Sequence, residues 1–300
     1  MKNIKISEIK IHLKKLLTDA SFILPEDIIL SLRKAVEAEN NATAKKILGM
    51  ILENAAAASG DRLPLCQDCG NVYVNIEIGP GICLEEIHGT VPLQNAGLSG
   101  GGSAGITGAV NEAVMEIYRD CYLRKSIVSD PLYDRKNTEN NLPPILHIHF
   151  SGKPGVNLEV NLKGGGSENC SWLFMLNPSS TAAEIIEKVV ELVKQHGSKS
   201  CPPLIIGIGI GGSASKAPEL ALKAVFRNTA LRNPDKRYAG LESKILDEVN
   251  RTGVGPAGLG GNTTALACNI EFAPCHMATL PFAVFFGCHS LRRASCRIKA

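Results

Sequence analysis

The apolar positions of this chain follow two different periods. Over residues 1–59 they recur at helical spacing. Met1 to Leu17 alternates Lys with Ile and Leu. Ile28, Ile29, Leu32 and Val36 share one face behind Pro25-Glu26-Asp27, and Ile47, Leu48, Ile51 and Leu52 share another after the break at Asn40-Asn41. These stretches predict a helical N-terminal part that acts as scaffold, its last helix spanning 42–58. From Val72 the period changes: Val72, Val74, Ile76 and Ile78 alternate with polar residues and predict a half-buried strand. Residues 106–122 predict a helix. Ile145–Phe150 and Val156–Leu162 predict a hairpin closed by Lys153-Pro154-Gly155. Thr181 and Glu184 form a capping box for a helix that turns Ile185, Val189, Leu192 and Val193 inward and ends at Gly197. Leu204 to Ile210 reads as a buried strand, Gly211-Gly212 as a tight turn, and Ser213 or Ser215 as the cap of a helix reaching Arg227. A helix over 241–250, stopped by Gly253, and an apolar strand over 280–286 follow. Glycine-rich loops fall at 80–108 (including 99–103), 163–166 and 255–264. The mixture predicts an α+β (mixed α/β) fold of small mixed sheets surrounded by helices, in a single domain over 1–300 whose helical part is about 1–59.

Composition narrows the function. With 300 residues, a net charge of +3, charges in mixed order and only 5% aromatic residues, the chain has no basic run or stacking platform for nucleic acid. No stretch of 18 apolar residues exists, which speaks against a membrane span, and the N-terminus lacks the unbroken apolar segment of a signal peptide. A cytoplasmic location is expected. Ten cysteines are then a heavy load, and in a reducing compartment metal binding or catalysis outranks disulfides.

Several motifs offer chemistry. Gly207 to Gly212 matches the Gly-x-Gly-x-x-Gly spacing of a dinucleotide site, but the acidic residue expected about 20 positions on is poorly supplied, with Arg227 and Arg232 bracketing that point. The same helix start, like the amides of Gly164 to Gly166, offers donors to an anion. His147 and His149 lie two apart on one strand face, a spacing that suits either a metal or a merely exposed pair. Cys66 and Cys69 form a Cys-x-x-Cys pair, and Cys275-His276 and Cys288-His289 offer further ligands, without zinc-ribbon spacing. Cys66, Cys201 and Cys288 each sit at a loop–strand junction. Three thiolates can hold three irons of a [4Fe-4S] cluster and leave the fourth open as a Lewis acid, although spacing alone does not select that reading.

The motifs taken together resemble a known family. Residues 65–70 (Leu-Cys-Gln-Asp-Cys-Gly), 123–132, 163–169, 201–213, 255–263 and 288–293 resemble, in order, the α subunit of the two-subunit, iron–sulfur (class I) fumarate hydratases, and the N-terminal half of their single-chain forms. The resemblance implies a [4Fe-4S] cluster with one open iron held by Cys66, Cys201 and Cys288, and a catalytic part for Asp68 in proton transfer. It also implies substrate contacts from Gln67, Arg124, Lys163, Gly164 and Gly165. It further implies reversible hydration of fumarate to L-malate, a reaction of the tricarboxylic acid cycle, by a closed hetero-oligomer with a separate β subunit, without which this chain has little activity. One departure stands out: the family usually has Thr where this chain has Cys69, but Cys66, which precedes Gln-Asp as the motif requires, remains the ligand the resemblance implies. The α subunit of L-tartrate dehydratase is the alternative on the same chemistry. A zinc-stabilised binding protein and a nicotinamide oxidoreductase are the alternatives of a different class.

Overall fold

The structure is a computed structural model that describes residues 2–85 and 105–299, so the expected glycine-rich stretch 99–103 lies outside the described residues. In chain order the elements are β1 (Lys2–Lys5), α1 (Ile6–Phe22), α2 (Glu26–Ala38), α3 (Ala42–Asp61), β2 (Asn71–Ile78), β3 (Ile82–Glu85) and α4 (Gly105–Asp120). Then come β4 (Ile145–Phe150), β5 (Val156–Lys163), the short α5 (Gly165–Glu168), β6 (Ser171–Leu176), α6 (Ala182–His196) and β7 (Leu204–Gly211). The chain closes with α7 (Lys216–Phe226), α8 (Lys236–Asn250), β8 (Ala265–Ala273), β9 (Leu280–Gly287) and β10 (Arg292–Ile298). This is the mixed α+β architecture the patterning predicts. Among the described residues no helix is long and apolar enough to cross a membrane.

The chain divides into two compact units, the first made of Met1–Ile23, Ala58–Gly164 and Arg292–Ala300, the second of Leu24–Ala57 and Gly165–Leu291. In the first, a four-stranded sheet of order β10-β5-β2-β4 buries one face. Val72, Val74, Ile76 and Ile78 of β2 and Val156, Leu158, Val160 and Leu162 of β5 meet Ile9, Leu13 and Leu17 of α1 and Val110, Val114 and Tyr118 of α4. The opposite face carries Tyr73, Asn75, Glu77, His147 and His149, as the period of two requires.

The expected hairpin does not form. β4 pairs parallel to β2 and β5 pairs antiparallel to it, so β2 lies between them. The Lys153-Pro154-Gly155 turn instead wraps the end of β2: Gly79 N–H donates to the Gly155 carbonyl at 2.9 Å and Ser151 N–H to that of Ile78 at 2.9 Å. A Cβ on Gly79 would come within 2.1 Å of the Lys153 carbonyl oxygen. A turn of this composition reads the same locally whether its strands pair with each other or flank a third.

In the second unit the order is β6-β9-β7-β8. β7 is buried on both faces, and its Ile/Gly alternation explains how. Leu204, Ile206, Ile208 and Ile210 pack with Ile185, Val189, Leu192 and Val193 of α6 and Ile245 and Val249 of α8. The glycines of the other face let α7 lie flush on the strand. A Cβ on Gly207 would sit 2.4 Å from the Ala221 carbonyl oxygen, and one on Gly209 2.0 Å from that of Ala217. Gly207 and Gly209 therefore lie inside the strand and serve close helix–sheet packing rather than a phosphate-cradling loop. The turn itself is formed by Gly211 (φ +85°) and Gly212 (φ +69°). Its donors are spent within the fold: Gly212 N–H goes to the carbonyls of Ala273 (3.3 Å) and Pro274 (3.2 Å), and Lys216 N–H to Ser213 Oγ (3.1 Å). Ser213, not Ser215, is thus the serine whose hydroxyl caps α7, and the Gly212 and Lys216 N–H groups are already taken within the fold. The Thr181–Glu184 capping box forms as expected.

Candidate active site

The loop between α3 and β2 is built by its neighbours. Leu65 is buried and donates its N–H to the Ser21 carbonyl at 3.0 Å. Cys66 and Asp68 that follow are half-buried, and Gln67 is exposed. Asp68 Oδ1 accepts the Gly70 N–H at 2.9 Å, closing an Asx turn. Gly70 has φ +78°, and a Cβ there would lie 2.6 Å from the Lys163 carbonyl oxygen, so glycine alone lets the loop close on the end of β5. A Cβ on Gly164 would lie 3.0 Å from Asp68 Oδ2, which puts the carboxylate directly against that glycine. The Lys163 side chain is buried.

Three polar side chains fix this loop. Arg292, 2% exposed, donates from Nη2 to the Asp68 carbonyl at 2.8 Å. The Tyr118 hydroxyl donates to the carbonyls of Cys69 (3.0 Å) and Gly70 (3.3 Å). Burial pushes the Tyr118 phenol well above its ordinary pKa, so it remains a donor. Asn141 donates from Nδ2 to the Gly70 carbonyl at 3.3 Å and accepts the Ser126 N–H at 2.8 Å. Sequence reading missed all three. Arg292 lies in a matching stretch, and an arginine opening a strand at the core was the available signal; Tyr118 and Asn141 gave none.

Cys69 has a clear environment. It is 3% exposed, joins the apolar core of the first unit, and accepts the Arg124 N–H at Sγ at 3.2 Å. Burial pushes its thiol pKa up, against the Arg124 N–H and the Arg292 charge. Cys69 thus behaves as a protonated, inward-facing acceptor that ties the exposed Arg124 to the Cys66 loop.

Within the second unit the segments that carry Cys201 and Cys288 meet through His289. Cys201 follows a 3₁₀ turn (Gly197–Ser200), is exposed, and adopts a left-handed φ of +49°. Its carbonyl accepts both the N–H (3.3 Å) and the Nδ1 (2.9 Å) of His289, the residue after Cys288. A carbonyl only accepts, so Nδ1 carries the ring proton. Burial lowers the His289 pKa, opposed by the carbonyls of Cys201 and Pro202, which favours the neutral ring. Cys288 follows β9 directly and is half-buried. Gly166, in α5 just after Gly165, packs on the same turn: a Cβ there would be 3.1 Å from the Lys199 carbonyl oxygen.

Of the residues singled out in the sequence, Cys66, Gln67, Asp68, Arg124, Lys163 and Gly164 thus belong to the first unit, and Gly165, Cys201 and Cys288 to the second. The His147 and His149 rings stand 6.2 Å apart, edge to face. Among the described residues no three His, Cys, Asp or Glu side chains are gathered as a metal-binding group. Cys69, Cys170 and Cys268 are buried, whereas Cys66, Cys201 and Cys288 are half-buried or exposed, as are Cys83, Cys121, Cys275 and Cys296. Exposure therefore sets aside only the buried three as ligands, and the soft loop thiols of Cys66, Cys201 and Cys288 are of the donor type a metal–sulfur group takes.

The profile of the family described as fumarate hydratase (Fumerase) matches residues 11–297. The chain belongs to the fumarate hydratase family. Members of this family are hydro-lyases, and the resemblance read from the motifs therefore holds at the level of family. A Methanocaldococcus jannaschii protein with the provisional name L(+)-tartrate dehydratase subunit alpha is 36% identical over 300 residues, covering 98% of each chain. The L(+)-tartrate dehydratase subunit alpha of Escherichia coli (strain UTI89) is 28% identical over 279 residues, covering 92% of this chain and 86% of its own length. Both relatives thus carry the name of a tartrate dehydratase alpha subunit.

Proposed function

We propose that this chain is the α subunit of an iron–sulfur hydro-lyase that reversibly hydrates fumarate to L-malate together with a separate β subunit. The observation that carries this reading is the interlocked loop of the first unit, where Asp68 sits against Gly164 and Arg124 is tied to the same loop through Cys69. Cys66, Cys201 and Cys288 would hold the [4Fe-4S] cluster. When bound, it supplies a Lewis-acidic iron for the substrate hydroxyl. In the malate-to-fumarate direction the C2–O bond breaks, a proton leaves C3, and water is the product. Arg124 offers a planar fork for a carboxylate, and its exposure leaves the guanidinium open to one. Gln67 and the Lys163–Gly165 turn bind and orient the same dianion. Asp68, with one oxygen held by the Gly70 N–H, accepts or returns a proton. The relatives' names support β-subunit dependence, since they are named as alpha subunits. They also favour a second reading, L-tartrate as the substrate, on the same residues. A cytoplasmic location accords with ten cysteines kept reduced.

The test is anaerobic reconstitution, with iron, sulfide and zinc assayed together. About four iron and four sulfide per chain are expected, lost on Cys66→Ala, Cys201→Ala or Cys288→Ala and kept on Cys69→Ala. Zinc without sulfide overturns the reading. Assay of the co-expressed α and β subunits on malate and L-tartrate then separates the two substrates by kcat/KM.

A further inference from the structure

The second unit contains a buried carboxylate that no catalytic role claims. Glu39 caps the end of α2 and is 2% exposed. Its Oε1 accepts the N–H of Asn41 (3.0 Å) and of Asn262 (3.1 Å), and its Oε2 the N–H of Asn262 (2.9 Å) and of Thr263 (3.0 Å). Gly261, at φ +121°, lies directly against it, a Cβ there meeting Ala44 Cβ at 2.5 Å and Glu39 Oε2 at 3.2 Å. One carboxylate thus gathers the start of α3 and the far end of the glycine-rich loop 255–263.

That loop in turn holds the segment bearing Cys201. Ala257 N–H donates to the Pro202 carbonyl at 2.8 Å, and Leu204 N–H to the Thr264 carbonyl at 2.8 Å. Thr264 Oγ1 accepts the Gly255 N–H at 3.1 Å, and Gly260 N–H closes the loop on the Val254 carbonyl at 2.9 Å. Gly258 presses on Ser198, where a Cβ would be 2.8 Å from the serine Cβ. Cys201 needs such restraint because a non-glycine residue at φ +49° is strained and persists only where its surroundings over-determine it. His289 fastens its carbonyl on one side, and the loop fastens its successor on the other.

We propose that Glu39 is a positioning residue for Cys201, acting through the loop 255–263; the importance of that thiol rests on the function proposed above. A carboxylate suits the place because its two oxygens serve three N–H groups. A glutamine would offer one acceptor oxygen and turn an NH2 against a donor.

The test compares wild-type full-length apoprotein with Glu39→Gln and the milder Glu39→Asp. Alkylation of Cys201 by iodoacetamide is followed peptide by peptide, well below the melting temperature. Cys275, exposed in the same unit, is the internal reference. The expected result is a several-fold change in the Cys201:Cys275 rate ratio in Glu39→Gln, with a smaller change in Glu39→Asp because the carboxylate is kept. Should Glu39→Gln fail to fold, Glu39→Asp gives the same readout. A ratio unchanged in every folded variant, with only the melting temperature lowered, overturns the proposal and makes Glu39 a cap alone. The readout needs no cluster, so a shifted ratio in a chain that binds no iron sinks the cluster reading and not this one.

Discussion

Cys69 shows how much one side chain's surroundings decide. By sequence it forms a Cys-x-x-Cys pair with Cys66; the structure buries it and sets its Sγ against the Arg124 N–H at 3.2 Å. Cys69→Ser keeps an acceptor and is expected to fold near wild type. Cys69→Val removes the acceptor of a half-buried hydrogen bond and should cost about 1 kcal/mol, read by urea unfolding. Glu39 carries a pH prediction. Burial works against its ionisation, but the N–H groups of Asn41, Asn262 and Thr263 overcome it and hold the carboxyl below the ordinary glutamate range. A group with a depressed folded pKa stabilises the fold above its unfolded pKa and loses that contribution as pH falls through the folded one. Wild-type stability should therefore drop on acidification through and below the ordinary glutamate range, with a shallower drop in Glu39→Gln, measured by urea unfolding against pH.

At the scale of elements, β7 is the case where the strand was legible and packing explains its glycines. Gly207 to Gly212 matches the spacing of a nucleotide motif, but the acidic residue that motif needs is poorly supplied, and the run reads as a buried strand. α7, seated on the bare face, accounts for the glycines. Gly209→Ala forces a methyl to within 2.0 Å of the Ala217 carbonyl oxygen and should cost about 1–3 kcal/mol or more, seen as a lowered melting temperature. Thr181→Ala removes one half of the capping box and should cost about 1 kcal/mol by the same measurement. Helices with clear periodicity were legible: α6 buries the four residues its period selects. β6, β8 and β10 were not read from the sequence. β10 alternates arginine, serine and cysteine with few large apolar residues, so its strand character depends on β5 as partner.

For the whole molecule, the expectation concerns what the chain does alone. Reconstituted without a β subunit it should hold iron and sulfide yet turn over dicarboxylates little or not at all; adding the β subunit should restore activity, followed by absorbance of the unsaturated product. Robust turnover by the isolated chain would overturn the two-subunit reading. With the partner present, Arg124→Ala should raise KM for the dicarboxylate about tenfold or more, since a bidentate charged contact is lost.

The chain's own pattern determined what depends on near neighbours in sequence: helix periods, caps, the buried β7, and the motif residues that announce the family. The tertiary structure decided what depends on residues far apart. It set β2 between two strands that look like a hairpin, turned Cys69 inward, placed Arg292 on the carbonyl of Asp68, and joined Glu39 to a loop more than 200 positions away. Periodicity and capping are local, encoded within a few turns or strand residues. Strand order and the partners of buried polar groups are fixed only when the whole core closes, because an unpaired buried donor or acceptor is costly and takes whichever partner the fold supplies.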